Sequence, residues 1–387
     1  MQTKPLAGAL PFALVLLSML TTTLLVPFQS EILEKHGGDP RSRALFVSLT
    51  MLGLFILSPM AGLIADRVRR KNILLAVFSV LNAAAFLWIL QSQSLFSLLA
   101  ARFFEGAAFA FVIGPLMAQA GANEQRGGRM AVAGLLLALG AALGMPLGGL
   151  LGDDRTALLT GCLLMAVVGA LSLFLKCDSL PKTRAHNSEM RGLLLRVPLF
   201  LVPIGFAFLD RFLAGFLVGP FSWRLRADLA MGPADVGRLL GSVMLPMVLL
   251  AVPAAILSRK VGPLPLVCAG SAVYGLCIAG AAASTSAATI TWLLILAGLG
   301  AGFLYAPSLI LTSRMAPPEL RNTAMALYIG VGSFGFMLGP VIPAEVMRIA
   351  ENPGRVVVWT AACSAFLVVL TAAAAIAFRK RLVLPAP

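Results

Sequence analysis

The sequence predicts an all-α membrane protein of twelve transmembrane helices, arranged as two pseudo-symmetric six-helix bundles. Three observations predict this class. The 387 residues are 59% hydrophobic and only 12% charged, about half the charged share of a soluble chain. The apolar residues come in blocks of about 20, each long enough to cross roughly 30 Å of hydrocarbon as a helix. One long polar interruption, "KCDSLPKTRAHNSEMRGLLLR" (176–196), divides these blocks six and six. Open sheets cannot satisfy their backbone in lipid, which leaves helices as the spanning element.

The first block, 8–28, is too long for the core of a signal peptide and no convincing cleavage site follows it, so it is expected to be a retained first helix. The second, 44–65, runs into "GLIADRVRRK" (62–71), whose basic residues close the span. The third and fourth are 73–91 and 95–118, and the fourth carries "ARFFEGAAFAF" (101–111). There Arg102 and Glu105 stand i, i+3 on one face, where they can pair and lower the cost of burial. The fifth block, 130–151, holds "GAALGMPLGG" (140–149). Gly140 and Gly144 let a neighbouring helix approach, while Pro146 can bend their own. The sixth, 157–176, completes an N-terminal bundle over 1–176, and a cytoplasmic central loop follows over 177–196.

The seventh block, 198–222, contains "FAFLDRFLAGF" (206–216), with Asp210 and Arg211 side by side near its middle. A charge at that depth costs a few kcal/mol on insertion scales, so something must stabilise it or use it. Adjacent helical residues point about 100° apart and make poor partners for each other. At least one is expected to reach toward Glu105 or Arg102 across a central cavity; the alternative is a buried pair that only pins the helix. The eighth to tenth blocks are 236–257, 264–283 and 288–312. The eleventh, 323–345, repeats the glycine–proline pattern as "GFMLGPVIP" (335–343), with Gly335, Gly339 and Pro340. The twelfth, 356–378, closes a C-terminal bundle over 197–387 that ends in a short basic tail.

The two halves resemble each other. Residues 124–144, "EQRGGRMAVAGLLLALGAALG", lie without a gap on 319–339, "ELRNTAMALYIGVGSFGFMLG", so that Glu, Arg, Met, Ala and two glycines four apart coincide. This sets the fifth helix opposite the eleventh, as a six-helix duplication requires. A weaker echo sets "VPF" (26–28) against "GPF" (219–221).

The net charge of +14 would point to nucleic acid in a soluble chain. Here its distribution follows the spans. With both termini inside, the cytoplasmic segments hold 19 of the 30 Lys and Arg residues, the opposite side 9, and Arg102 and Arg211 lie within helices. The excess is the positive-inside bias, which excludes nucleic acid as the partner and places both ends in the cytoplasm.

"GLIADRVRRK" resembles the signature that the major facilitator superfamily carries between its second and third helices, and the resemblance extends over essentially the whole chain. Gly62, Asp66, Arg67, Arg70 and Lys71 stand at the family's positions, while Arg69 replaces its usual glycine. The matching turn of the second half, "LSRKVGPLPL" (257–266), keeps Arg259, Lys260 and Gly262 but has Ser258 in place of an acid. The resemblance implies a cytoplasmic gate in which Asp66 faces the N-terminus of the eleventh helix, capped here by Asn322 or Thr323, since a carboxylate is stabilised by free N–H groups there. Gly62 would allow close approach of the helix backbones. Arg102 and Glu105 resemble the fourth-helix signature that drug:proton antiporters of the family use in proton coupling, with Glu105 where Gln is usual. The glycine–proline pattern resembles a signature of exporters, Met145 standing where proline follows the second glycine in the other copy.

These features imply a secondary active transporter, closest in motif to drug:proton antiporters, that exports a small amphipathic molecule by alternating access. Protons are the expected coupling ion. Asp210, Arg211, Arg102 and Glu105 would line the proton and substrate site. A nutrient importer or lipid flippase of the same fold, or a non-transporting sensor or scaffold, are the alternatives. The expected setting is a monomer among lipids of a bacterial inner membrane. No cofactor is expected: "GVGSFG" (330–335) follows no strand, no GxxxxGK[ST] loop is present, and His36 and His186 lie in loops without metal-ligand spacing. The five cysteines form no CxxC pair, which implies neither a disulfide framework nor a zinc site. Nothing assembles a nucleophile and base, so an enzyme is not expected.

Overall fold

The computed structural model describes residues 4–68, 70–121, 129–175, 201–315, 321–350 and 352–377. The expected central loop 177–196 and the basic tail from 378 lie outside them. Among the described residues, twelve helices are long and apolar enough to cross a membrane. The chain divides into two compact units, Met1–Lys182 with Ala230–Gly241 and Thr183–Leu229 with Ser242–Pro387.

The first unit contains α1 (Lys4–Leu24), α2 (Gln29–Glu34), α3 (Pro40–Arg67), α4 (Lys71–Gln91), α5 (Leu95–Gly121), α6 (Arg129–Leu150) and α7 (Asp154–Ser172). Short α2 prolongs the first span beyond a 3-10 turn at Val26–Phe28, so this span runs past the end expected at residue 28. Asp39 opens α3: its carboxylate accepts from the Ser42 amide at 2.8 Å and the Ser42 hydroxyl at 2.5 Å, with Pro40 behind it. Proline fits a first helical turn because the N–H it lacks has no partner there. Asp153 opens α7 in the same way through Thr156. Phe28, Phe46, Phe86 and Leu75 form part of a continuous apolar core in this unit.

The second unit contains α8 (Leu201–Phe216), α9 (Ser222–Ala227), α10 (Pro233–Val261), α11 (Pro263–Ala283), α12 (Ala287–Met315), α13 (Arg321–Ile349) and α14 (Pro353–Ala377), except that the first turns of α10 group with the first unit. A five-residue π turn, Leu217–Phe221, joins α8 to α9. Pro220 lies within it and cannot donate to the helical ladder. The Ser222 hydroxyl donates to the Val218 and Gly219 carbonyls at 2.7 and 2.8 Å, occupying acceptors of the widened turn. The first and seventh spans thus break at corresponding Pro-Phe pairs, Pro27-Phe28 and Pro220-Phe221, and each continues as a six-residue helix.

The repeated glycines occupy matching contacts. A Cβ added to Gly140 or Gly144 of α6 would come under 3.0 Å from the Leu16 or Leu20 carbonyl oxygen of α1. In the second unit, one added to Gly335 or Gly339 of α13 would meet the Phe208 or Phe212 carbonyl of α8 equally closely. Pro146 sits inside α6, and Pro340 of α13 lies against Gly215 and Gly219. Small residues let helix backbones touch where lipid offers no hydrophobic drive for their association.

Candidate functional site

Two buried polar clusters stand out, one in each unit. In the first, α5 buries Arg102 and Glu105 as an ion pair between Arg102 Nη1 and Glu105 Oε2, with side chains 7% and 1% exposed. Arg102 Nε also donates to the Phe46 carbonyl of α3 at 3.1 Å, and the guanidinium lies 4.4 Å from the Phe46 ring centroid. Asn82 of α4 donates to the main-chain carbonyl of Glu105 at 2.7 Å. One turn of α5 is therefore tied to two neighbouring helices. Gly53 and Gly106 make this possible, since a Cβ on either would run into the opposite backbone.

The second cluster is built on α8. Asp210 is 6% exposed, and its Oδ2 accepts from the Ser271 hydroxyl of α11 at 3.4 Å. Its Oδ1 is buried without a hydrogen-bond partner. Arg211 is exposed, although it lies mid-span. Its guanidinium carbon stands 5.3 Å from the Tyr305 ring centroid on α12, within range of a cation–π contact. Tyr274 of α11 and Tyr328 of α13 lie within electrostatic range of both Asp210 and Arg211. The chain has three tyrosines, and all three converge here. Ser308 joins the group, its hydroxyl 2.5 Å from that of Tyr328. Among the described residues no carboxylate pairs with Arg211 within 4.0 Å. Ser271 and the tyrosines escaped sequence reasoning because they are spread over three spans and form no local motif. A usable signal was there, however, since Tyr gathers at membrane interfaces and is unusual in the middle of a helix such as α11.

The expected gate is described only in part. Gly62 lies in α3, exposed, and among the described residues a Cβ there would meet nothing within 4 Å. Among the described residues α3 makes its close backbone approach at Gly53, nine residues earlier, and not at Gly62. Asp66 and Arg67 end α3, and their side chains lie outside the described residues. Arg70 is exposed at the N-cap of α4, and Lys71 is buried at its first residue. α13 starts at Arg321, so Asn322 and Thr323 fall inside its first turn rather than at the cap. Among the described residues, no group of three or more His, Cys, Asp and Glu side chains could hold a metal ion.

Twelve spans in two halves of like design, each burying ionisable groups, define a polytopic membrane transporter. The Major Facilitator Superfamily model matches residues 12–225 and 204–386, and the chain belongs to that superfamily, whose members here are transporters and not enzymes. A bacterial homolog of the human lysosomal transporter Spinster, inward-facing and unoccupied, is similar over 100% of both chains, with a TM-score of 0.82 and 14% identity. The nucleoside transporter NupG is similar over 97% of this chain and 99% of its own, with a TM-score of 0.74 and 14% identity. The human organic anion transporter MFSD10 is similar over 96% and 100%, with a TM-score of 0.69 and 17% identity. These identities show a shared fold. Among curated proteins, none matches the chain.

Proposed function

We propose that the protein is a drug:proton antiporter-like member of the superfamily, which exports a small amphipathic molecule in exchange for protons by alternating access. The observation that carries this reading is Asp210, a buried carboxyl in mid-span with one oxygen bonded to Ser271 and the other unpartnered. An ionised carboxylate so placed is costly unless something pairs with it, and protonation removes most of that cost. Proton and substrate therefore compete for one carboxyl. A proton arriving from outside displaces the cargo and lets the protonated carrier return. Glu105 takes the lesser part, because Arg102 already pairs with it and is itself anchored to Phe46. The cytoplasmic cluster at Asp66, Arg67, Arg70 and Lys71 serves as the gate.

The basic asymmetry favours a bacterial cytoplasmic membrane with both termini inside, where one chain surrounded by lipid suffices. Reconstitution tests the reading. In proteoliposomes with an imposed pH gradient, the wild type drives uphill efflux of its cargo, and an uncoupler abolishes it. Asp210→Asn, checked for monodispersity and helicity, retains downhill exchange but loses the uphill component. Undiminished uphill flux in that variant defeats the proposal, and net inward accumulation replaces export with import.

A further inference from the structure

We infer that the cluster on α8 binds a small organic anion carrying a hydrogen-bond donor, such as a hydroxy or amino acid-like carboxylate or phosphate. The inference rests on reading this cluster as the substrate site. Its first ground is Arg211. A guanidinium cannot discard its charge at any physiological pH, and the adjacent Asp210, though within electrostatic range, forms no ion pair with it within 4.0 Å among the described residues. Its neighbours are a tyrosine ring at 5.3 Å and phenol groups, not a carboxylate within 4.0 Å among the described residues. Helices α11, α12 and α13 flank it through Tyr274, Tyr305 and Tyr328, and the α13 backbone comes close at Gly332. The side chain nevertheless keeps accessible surface. What completes such a site is a planar or tetrahedral oxyanion, which a guanidinium engages through two parallel N–H bonds.

The second ground is independent of the first. Asp210 Oδ1 is buried, accepts nothing from the protein and belongs to the same group, because Tyr274 and Tyr328 sense both charges. A carboxylate oxygen calls for a donor. A hydroxyl or ammonium on the ligand supplies one while the ligand's anionic end holds Arg211. A simple cation would satisfy Asp210 but face Arg211 with like charge, and a neutral apolar compound would satisfy neither group. The paired demands therefore select against both.

Binding can be measured without any gradient, which separates this inference from proton-coupled export. Purified full-length protein in nanodiscs is screened for thermal stabilisation with matched triplets on three-carbon, six-carbon and aromatic scaffolds: the hydroxy acid, the parent acid and the hydroxy amide. The hydroxy acid of at least one scaffold stabilises most, the parent acid binds roughly tenfold more weakly, and the amide is silent. Arg211→Gln removes the preference for acid over amide. Arg211→Lys, which retains charge and guards against misfolding as the cause, keeps that preference with weaker binding, because an ammonium cannot present the two parallel N–H hydrogen bonds to an oxyanion. Amides that match their acids, acid selectivity surviving Arg211→Gln, or silence of every acid overturns the inference. Selective anion binding without gradient-driven flux leaves this site standing and removes the export reading; uphill efflux of only neutral or cationic compounds does the reverse.

Discussion

Gly335 stands so close to α8 that a methyl group built on it would lie under 3.0 Å from the Phe208 carbonyl oxygen. That oxygen belongs to a helix backbone and has nowhere to withdraw. Gly335→Ala must therefore push α13 away from α8, at a cost of about 1–3 kcal/mol for overpacking. Gly62→Ala is the internal comparison, because its added methyl meets open space and alanine is a better helix former by about 1 kcal/mol. Equilibrium unfolding of the purified protein should show the first variant less stable than wild type and the second unchanged or more stable. Equal behaviour of the two would mean that α8 and α13 are not in close contact.

Arg102 and Glu105 allow a test by double-mutant cycle. Both are buried, so removing one partner strands the other's charge, with an expected loss of about 3–5 kcal/mol. Glu105→Ala and Arg102→Met should each show it. Arg102→Met with Glu105→Leu replaces the pair with apolar groups of similar size, and should recover to within about 2 kcal/mol of the wild type. Unfolding curves of the three variants give the coupling directly. Additive losses would contradict a pair that is buried as a unit.

The spans were readable because lipid imposes one rule, about 20 apolar residues per crossing, and the chain obeys it twelve times. The repeat was readable too: the glycines four apart in "GAALG" and "GFMLG" make the same contact in each unit. Three features were harder to see, for distinct physical reasons. The convergence of Tyr274, Tyr305 and Tyr328 depends on how three separate helices pack, which no local pattern encodes. Gly53 and Gly106 form no motif, yet they bring α3 and α5 together, whereas Gly62 has a motif and meets no close neighbour among the described residues. Arg224, two residues past the expected end of the seventh block and in no motif, is buried.

Arg224 is a clamp. Its Nη1 donates to the Ala282 carbonyl, its Nη2 to the Ser284 carbonyl at 3.1 Å, and its Nε to Asp228 at 3.2 Å. The two carbonyls lie at the C-terminal end of α11, where backbone acceptors lack helical partners and a cation is favoured. Hydrogen bonds to a charged group contribute about 1.5–3 kcal/mol each at most, so Arg224→Ala should lose roughly 2–4 kcal/mol. Arg224→Lys can reach one carbonyl and should fall between. Asp228 is 49% exposed, and an ion pair of that kind contributes less than about 1 kcal/mol. Asp228→Asn should therefore be nearly silent. A loss from Asp228→Asn as large as that from Arg224→Ala would place the stabilisation in the ion pair instead.

Acid should act on the cap of α3 in a defined window. Hydrogen bonds from the Ser42 hydroxyl and then the Ser42 amide hold the Asp39 carboxyl below its ordinary value of 3.8, outweighing its slight burial. The unfolded chain titrates at the ordinary value. The stabilisation from this carboxylate is thus fully present above 3.8, and it is lost as pH falls from there through the lower folded value. Solvent screening at this mostly exposed position keeps its size well below about 1 kcal/mol. Asp39→Asn retains an acceptor for the cap and removes the charge. The stability difference between wild type and Asp39→Asn should be constant from neutral pH down to about pH 5 and shrink only below it. Ser42→Ala, which removes the leading hydrogen bond, should raise the lower end of that window and shrink the loss, leaving its start unchanged. A difference that instead shrank between pH 7 and pH 5 would assign the titration to a group other than Asp39.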